Sequence, residues 1–285
     1  HLKPRCILGN HLNIYMKKKV NKNKISILIT NFNKDKFIKN CLRSCLNQTY
    51  KNIEIILFDD CSTDKSLSII KEFKNINILH NRKKKYNSGP LNQINGLQKC
   101  FYKSSGDIIF LLDSDDSFRR NKVLLISNLL KRNSKLQFIQ DTPYSTKDKK
   151  RILIKKKSNN YSIWPSFFPT SSIAMKRRFF KKFLKFINSN HYPNLEIDAR
   201  IAIYAHLTKN FKITSNCLTY YNYDETGITS KYKKFTPNWW KKRKEAFQYT
   251  KFLSKRLKLN FYAGPDYYLT KIINLFFSTF YKSYH

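Results

Sequence analysis

"DIIFLLDSDDS" (residues 107–117) is a near-continuous apolar run that ends in three aspartates within four residues. A run of this length and character reads as a strand buried on both faces, and the acids follow where it leaves the sheet. Acid is scarce in this chain: its 285 residues carry 56 Lys and Arg against 18 Asp and Glu, a formal net charge of +38. On extended backbone Asp113 and Asp115 point to the same side. Two carboxylates roughly 6 Å apart repel by about 3 kcal/mol at an effective dielectric near 20. A divalent cation of the Mg or Mn type, bridging to a diphosphate through hard oxygen ligands, turns that repulsion into binding. The competing reading pairs the acids with Arg119 and Arg120, or has Asp115 or Asp116 cap the following helix. A lysine partner is not expected.

Outward from this strand the first half of the chain alternates strand and helix signals. "ISILIT" (25–30), "IEIILF" (53–58), "INILH" (76–80), "DIIFLL" (107–112) and "LQFIQ" (136–140) read as strands. Helical spacing falls at 35–48, 64–73, 91–104 and 120–133, with Asp35 and Asp64 as expected N-caps. The implied fold class is α/β, a mostly parallel sheet covered by helices. Beyond about residue 142 the rhythm breaks. "TKDKKRILIKKKSNN" reads as a charged insertion around a short strand, and "YSIWPSFFPTSSIAM" (161–175) suits no regular element. A helix is expected over 194–207, then strand-like "FKIT" and "CLTYY", then two helices beyond Pro237.

The excess of base favours phosphate-rich or anionic partners. Lys far outnumbers Arg, however, and Arg is the better reader of bases, so nucleic acid is not expected as a partner. The six cysteines form no CxxC pair; Cys41 and Cys45, one helical turn apart, read as buried thiols in a reducing compartment. No apolar run approaches the ~20 residues that span a bilayer, and the first residues lack the apolar core of a signal peptide. A cytoplasmic setting is therefore expected, with Met16 as the biological start. Trp239 and Trp240 beside "KKRK" (241–244) suit either a helix lying on an anionic membrane or inward packing with the lysines in water.

In open parallel sheets ligands sit at the carboxyl ends of the strands. Three strands here end in polar groups: "TNFN" (30–33), "DDCSTD" (59–64) and "DSDD" (113–116). Chain order brings Thr30, Asp60, Asp113 and Asp115 to one edge. "ISILITNFNKDKFIKNCLRSCLNQTYKNIEIILFDDCSTDKSLSII" followed by "SSGDIIFLLDSDDS" resembles the catalytic domain of the family 2 glycosyltransferases, inverting enzymes of the GT-A fold. The resemblance covers about residues 25–140 and is weaker over 194–230.

That resemblance implies a GT-A, Rossmann-like fold and a nucleotide-sugar donor, UDP-linked by expectation. It places Thr30, Phe32 and Asn33 at the base, gives Asp60 a hydrogen bond to it, and has Asp59 support the loop. Asp113 faces the ribose, Asp115 binds the Mn or Mg ion, and Asp116 supports it. Asn87, Gly89 and Asn92 fall on the diphosphate side. Ile29 and Phe32 stand where the family usually has Pro and Tyr. The general base is an acid near the start of a later helix, here Asp198, with Glu196 as second candidate. Asn222 and Asp224 replace the family's usual Arg and His. The implied division is an N-terminal extension (1–24), a GT-A domain (25–236) and a C-terminal helical segment (237–285). Within the domain, 25–140 is the nucleotide-sugar half and 141–236 the acceptor half. The implied product is an inverted linkage on a glycan or lipid-linked acceptor, in surface polysaccharide or lipopolysaccharide assembly. Nucleotidyl transfer, a basic nucleic-acid-binding protein and an inactive relative remain as alternatives.

Overall fold

A computed structural model describes residues 21–154, 167–187, 190–225 and 227–282. Met16, most of the expected N-terminal extension and residues 155–166 of the two insertions lie outside them. The first half runs β1 (Asn21–Asn31), α1 (Asp35–Leu46), β2 (Ile53–Asp59), α2 (Ser66–Lys71), β3 (Ile76–His80), α3 (Gly89–Lys103) and β4 (Gly106–Asp113). These strands lie parallel in the order β3-β2-β1-β4, with Ile27 between Ile55 and Phe110. Their apolar runs are continuous because both faces are covered. Leu28, Ile56 and Phe58 pack beneath α3, while Ile27, Ile55 and Leu57 meet Cys41, Leu42 and Cys45 of α1. Helix α3 approaches β2 so closely that a Cβ on Gly96 would stand 2.3 Å from the Phe58 ring. Asp35 does not cap α1 but begins it; the Asp64 carboxylate accepts the N–H groups of both Asp35 and Ser66, each at 2.9 Å. One acid thus closes the starts of two helices.

The second half adds β5 (Ser117–Phe118), α4 (Lys122–Arg132), β6 (Phe138–Ser145), β7 (Lys150–Arg151), a 3₁₀ turn (Thr170–Ser172) and β8 (Ile173–Lys176). It continues with α5 (Arg177–Leu184), α6 (Ile197–Thr208), β9 (Phe211–Tyr221), a second 3₁₀ turn (Ile228–Lys231), α7 (Pro237–Arg256) and α8 (Pro265–Lys282). The sheet extends past β4 as β4-β8-β6-β9-β5 and becomes mixed, β8 running antiparallel to both its neighbours. "SSIAM", expected to be irregular, therefore supplies a strand. Ile173, Ala174 and Met175 are buried on both faces, so no alternation marks them. "FKIT" and "CLTYY" are one strand, β9, with register shifts opposite Asp141–Pro143. Helix α5 was not expected; Phe179, Phe180 and Phe183 form its buried face.

The link from β4 to β5 constrains the shape. Four residue steps, Asp113 to Ser117, span at most about 14 Å. In a flat sheet β4 and β5 would stand four strand spacings apart, about 19 Å. The sheet must curl, and the acid-rich link closes the curl.

At the other end of β4, the Glu54 carboxylate of β2 gathers three strands. It accepts the Ser26 hydroxyl at 2.7 Å and the Gly106 N–H at 3.0 Å, and pairs with Lys24 at 2.7 Å. A Cβ on Gly106 would meet Ser26 Oγ at 2.4 Å, so only glycine permits this approach. Burial pushes the Glu54 carboxyl up, but hydrogen bonds from Lys24, Ser105 and Ser26 outweigh it and hold the group down at about 2. A folded-state value below the unfolded one stabilises above the unfolded value and fades as pH falls through the folded one. Glu54→Gln is therefore expected to cost about 2–3 kcal/mol near neutral pH, a penalty that shrinks between about pH 4.5 and 2. Urea unfolding of both proteins across that range checks it, and a pH-independent penalty would contradict it.

Candidate active site

The acids of the β4–β5 link are held from three sides. Asp113 Oδ1 accepts Gln93 Nε2 at 2.7 Å and the Thr30 hydroxyl at 3.3 Å, and the Asp113 N–H donates to Ser171 Oγ at 3.0 Å. Burial and the neighbouring Asp115 push the Asp113 carboxyl up to about 7, against the pull of these hydrogen bonds. Asp116 is buried; its N–H donates to Asp113 O at 3.0 Å and its Oδ1 accepts the Asn222 N–H at 2.8 Å. Asn222 also donates through Nδ2 to Asp115 O at 2.6 Å. Neither Arg119 nor Arg120 neutralises the link, and neither aspartate caps α4, whose N-cap is Asn121. A lysine does take part, contrary to expectation: Lys34 Nζ lies 3.1 Å from Asp115 and also pairs with Asp224. Burial pulls the Lys34 ammonium down, but the two acids more than offset this and raise it. With 56 basic residues in the chain, no single lysine stood out in the sequence.

On the nucleotide side the β1–α1 and β2–α2 loops interlock. Buried Asp59 accepts Asn31 Nδ2 at 2.7 Å, the Ser62 N–H at 2.9 Å and the Ser62 hydroxyl at 2.6 Å, the loop support expected of it. Asn33 accepts the Thr63 N–H at 2.8 Å with its own φ at +50°, so it locks the two loops together. Asp60 accepts Asn81 Nδ2 at 3.2 Å, and burial pushes its carboxyl up. Phe32 leaves its ring 39% exposed, with Lys84 Nζ 3.5 Å from the ring centre. An open aromatic face, a buried acid and a cation thus share one edge with Thr30 and Asp113. Asn92 takes no part at this edge: it is buried and pairs both ways with the backbone of Tyr86, at 3.0 and 2.9 Å.

The two candidate bases separate. Glu196 is buried and bound to Lys242 Nζ at 2.6 Å. Asp198, half-buried in the first turn of α6, accepts the Ala199 N–H at 2.7 Å and has no ion pair among the described residues. Burial and Glu196 push its carboxyl up to about 7, Lys242 opposes this, and Asp113 adds to it. Beneath, buried Arg200 donates to Leu195 O at 2.9 Å, Ile187 O at 2.6 Å and His191 O at 2.8 Å, fixing the approach to α6.

A buried ion pair that periodicity hid supports the acid link. Lys122 Nζ sits 2.7 Å from Asp141 Oδ1, both fully buried, and donates to Ser171 O and Thr219 Oγ1 at 2.6 Å each. The Gln48 carbonyl of the "NQTY" stretch accepts the Val123 N–H at 3.0 Å, and its amide donates to Arg119 O at 2.9 Å.

A divalent cation fits this edge by the chemistry of its donors. Asp113 and Asp115 offer hard oxygens, and the carboxyls of the link are raised by burial and, at Asp113 and Asp116, by mutual repulsion. Among the described residues no three acid, His or Cys groups could hold an ion by themselves. Magnesium-type sites need only one or two carboxylates together with substrate phosphates. A cation taking Asp115 would have to displace Lys34.

The sequence pattern of Glycosyl transferase family 2 matches residues 26–193. A Methanococcus voltae enzyme, dolichyl N-acetyl-alpha-D-glucosaminyl phosphate 3-beta-D-2,3-diacetamido-2,3-dideoxy-beta-D-glucuronosyltransferase, is 33% identical over 126 residues, 40% of this chain and 37% of that protein. Staphylococcus aureus TarS, solved with UDP-GlcNAc, superposes with a TM-score of 0.58 at 14% identity, over 79% of this chain and 66% of that one. The mannosyltransferase PcManGT from Pyrobaculum calidifontis, solved with GDP-Man and Mn2+, gives 0.55 at 11% identity, over 84% and 65%. At such identities the structures show a shared fold. The matched regions span less than half the length of the first curated relatives.

Removing one member of a buried ion pair strands the other charge. Lys122→Ala is expected to lower stability by about 3–5 kcal/mol, and Lys122→Met with Asp141→Leu to recover most of that loss. Denaturant midpoints of the three proteins check this.

Proposed function

This chain belongs to glycosyltransferase family 2 and has the GT-A fold, and from that premise we propose that it moves a sugar from a nucleotide diphosphate to an acceptor hydroxyl with inversion. One observation carries the reading. Asp113 at the end of β4 is turned by Gln93 and Thr30, Asp115 beside it meets Lys34, and Asp198 in the first turn of α6 is half-buried with no ion pair among the described residues. One group of acids suits a cation and diphosphate, and the separate acid suits proton removal.

The base of a UDP-linked donor stacks on Phe32 and bonds Asp60, against the two loops that Asn33 and Asp59 hold in place. Thr30 keeps Asp113 turned to the ribose. Asp115, with Asp113 beside it and Asp116 below, would hold a Mn or Mg ion, whose chemistry is to neutralise charge on the leaving diphosphate. The acceptor oxygen attacks the anomeric carbon on the face opposite the diphosphate. The bond to the phosphate oxygen breaks, its electron pair leaves with the nucleoside diphosphate, and the hydroxyl proton passes to Asp198. A carboxyl near 7 is matched to that task at neutral pH. Glu196, tied to Lys242, positions the start of α6 and keeps Asp198 basic by repulsion.

The acceptor is a glycan or a lipid-linked glycan, in line with the lipid-linked sugar named for the M. voltae relative. Residues 141–236 contribute its binding side, 25–140 the donor side, and 237–285 the C-terminal helical segment. No helix among the described residues is long and apolar enough to cross a membrane. We place the enzyme at the cytoplasmic face of the membrane, peripherally bound.

Metal-dependent hydrolysis of UDP-sugars tests the reading without the acceptor. Asp115→Asn is expected to abolish cation-dependent UDP-sugar binding, measured by calorimetry. Asp198→Asn is expected to keep donor binding and lower kcat by about 10²–10⁴-fold. Because the base works deprotonated, kcat/KM should rise with pH through the region near 7 and flatten above it. A flat profile, full activity of Asp198→Asn, or release of pyrophosphate in place of UDP would overturn the reading.

A further inference from the structure

Helix α8 packs on α7 through a mixed face that includes the partly buried Tyr267, Ile273 and Phe277. Thr270 and Asn274 are its buried positions. Arg243 of α7 donates to Thr270 Oγ1 at 2.9 Å and pairs with Asp266 at 2.7 Å, while Asn274 Nδ2 donates to Trp240 O at 3.0 Å. The opposite face carries Tyr268, Leu269, Ile272, Leu275 and Phe276, each between 51% and 65% exposed. Their spacing of one, three, three and one residues makes a continuous helical stripe. Scattered exposed apolar residues are ordinary, whereas a contiguous stripe marks a surface that meets something.

The Trp239–Trp240 pair is not that surface. Trp240 is buried against Trp239 at 4.7 Å between ring centres, and Lys242 and Arg243 are bound to Glu196 and Asp266. Charge decides what covers α8 instead. Residues 237–285 hold ten Lys and Arg against two acids, in a chain of net charge +38. A second copy would bring two such surfaces together, and their repulsion opposes it. An anionic bilayer is complementary to both the charge and the stripe. On the inner side of the helix, against α7 and away from the stripe, a cavity of about 440 Å³ is lined by Lys241, Lys244, Gln248, Asn274, Phe277 and Ser278. Neither lysine has an ion pair among the described residues. Glu245, which also borders the cavity, is engaged by the Asn194 N–H at 2.7 Å. The exposed charge at the stripe itself is Lys271, between Leu269 and Ile272 and without an ion pair among the described residues.

We infer that α8 is the membrane-docking surface of this protein, lying flat in an anionic leaflet with Leu269, Ile272, Leu275 and Phe276 among the acyl chains and Lys271 at the rim toward lipid phosphates. The inference names the surface for the peripheral binding proposed above and does not depend on the transferase chemistry.

Flotation of the 285-residue chain with vesicles tests it. Binding to vesicles of phosphatidylglycerol and phosphatidylcholine is expected, with little binding to phosphatidylcholine alone and loss as salt is raised. Leu269→Glu with Ile272→Glu should weaken binding by more than about tenfold, since each exchanges buried acyl contact for charge. Both positions are exposed, so the circular dichroism and melting temperature should stay unchanged. Lys271→Glu should weaken binding and flatten its salt dependence. Three results would overturn the inference: no flotation of the parent chain, undiminished flotation of the Leu269→Glu/Ile272→Glu protein, or an oligomer in light scattering that this double variant dissociates. UDP-sugar hydrolysis is read without vesicles, so failure of the transferase reading shows separately.

Discussion

The buried pair between Lys122 and Asp141 is the interaction on which the site depends. It joins the first turn of α4 to β6, and through Thr219 and the Ser171 carbonyl it reaches β9 and the 3₁₀ turn. Ser171 then takes the Asp113 N–H on its hydroxyl. One desolvated ion pair therefore sets where the acid link sits. Such a pair is not a large net source of stability, because desolvation costs both ions heavily. Its consequence is geometric: its members are satisfied only when four separate segments meet, which fixes the curl that a four-residue link demands.

The same economy explains the acids. With so much base on the surface, an exposed carboxylate would be neutralised by the nearest lysine. The carboxylates of the link avoid this by burial, and Asp115 raises both Asp113 and Asp116. Lys34 is admitted between Asp115 and Asp224, a single internal counter-charge at the point where the diphosphate is proposed to lie. Asp198 stays outside that arrangement but within its field, and Glu196 is taken by Lys242. Two acids two residues apart thus acquire different environments from their partners alone.

Strand ends were the most legible part of this protein. Continuous apolar runs broken by "TNFN", "DDCSTD" and "DSDD" follow from a parallel sheet covered on both faces, whose ligands gather at one edge. The succession of β1 to β4 along the chain, the edge shared by Thr30, Asp60, Asp113 and Asp115, and a helix starting near Glu196 were all readable from this pattern. The 173–176 strand was not, because antiparallel residues buried on both sides leave no alternation and Ser and Pro precede them. Asp35 was read as a cap because its own position allowed it; only the fold could bring Asp64 there first.

Sequence alone determined the chain's local preferences: which stretches bury, where they end, and which rare acids stand at those ends. Only the tertiary structure decided the partners of each charge. Lys122 carries nothing in its neighbourhood along the chain to distinguish it from the other lysines, and its role exists only because Asp141 arrives nineteen residues later in the same dry space. Likewise α8 reads as one more amphipathic helix, whose apolar side would ordinarily face inward. Its packed face is instead mixed, because the hydrogen bonds of Arg243 and Trp240 hold Thr270 and Asn274 inside it. Periodicity states that a helix has two faces, and the satisfaction of buried polar groups decides which one the protein keeps.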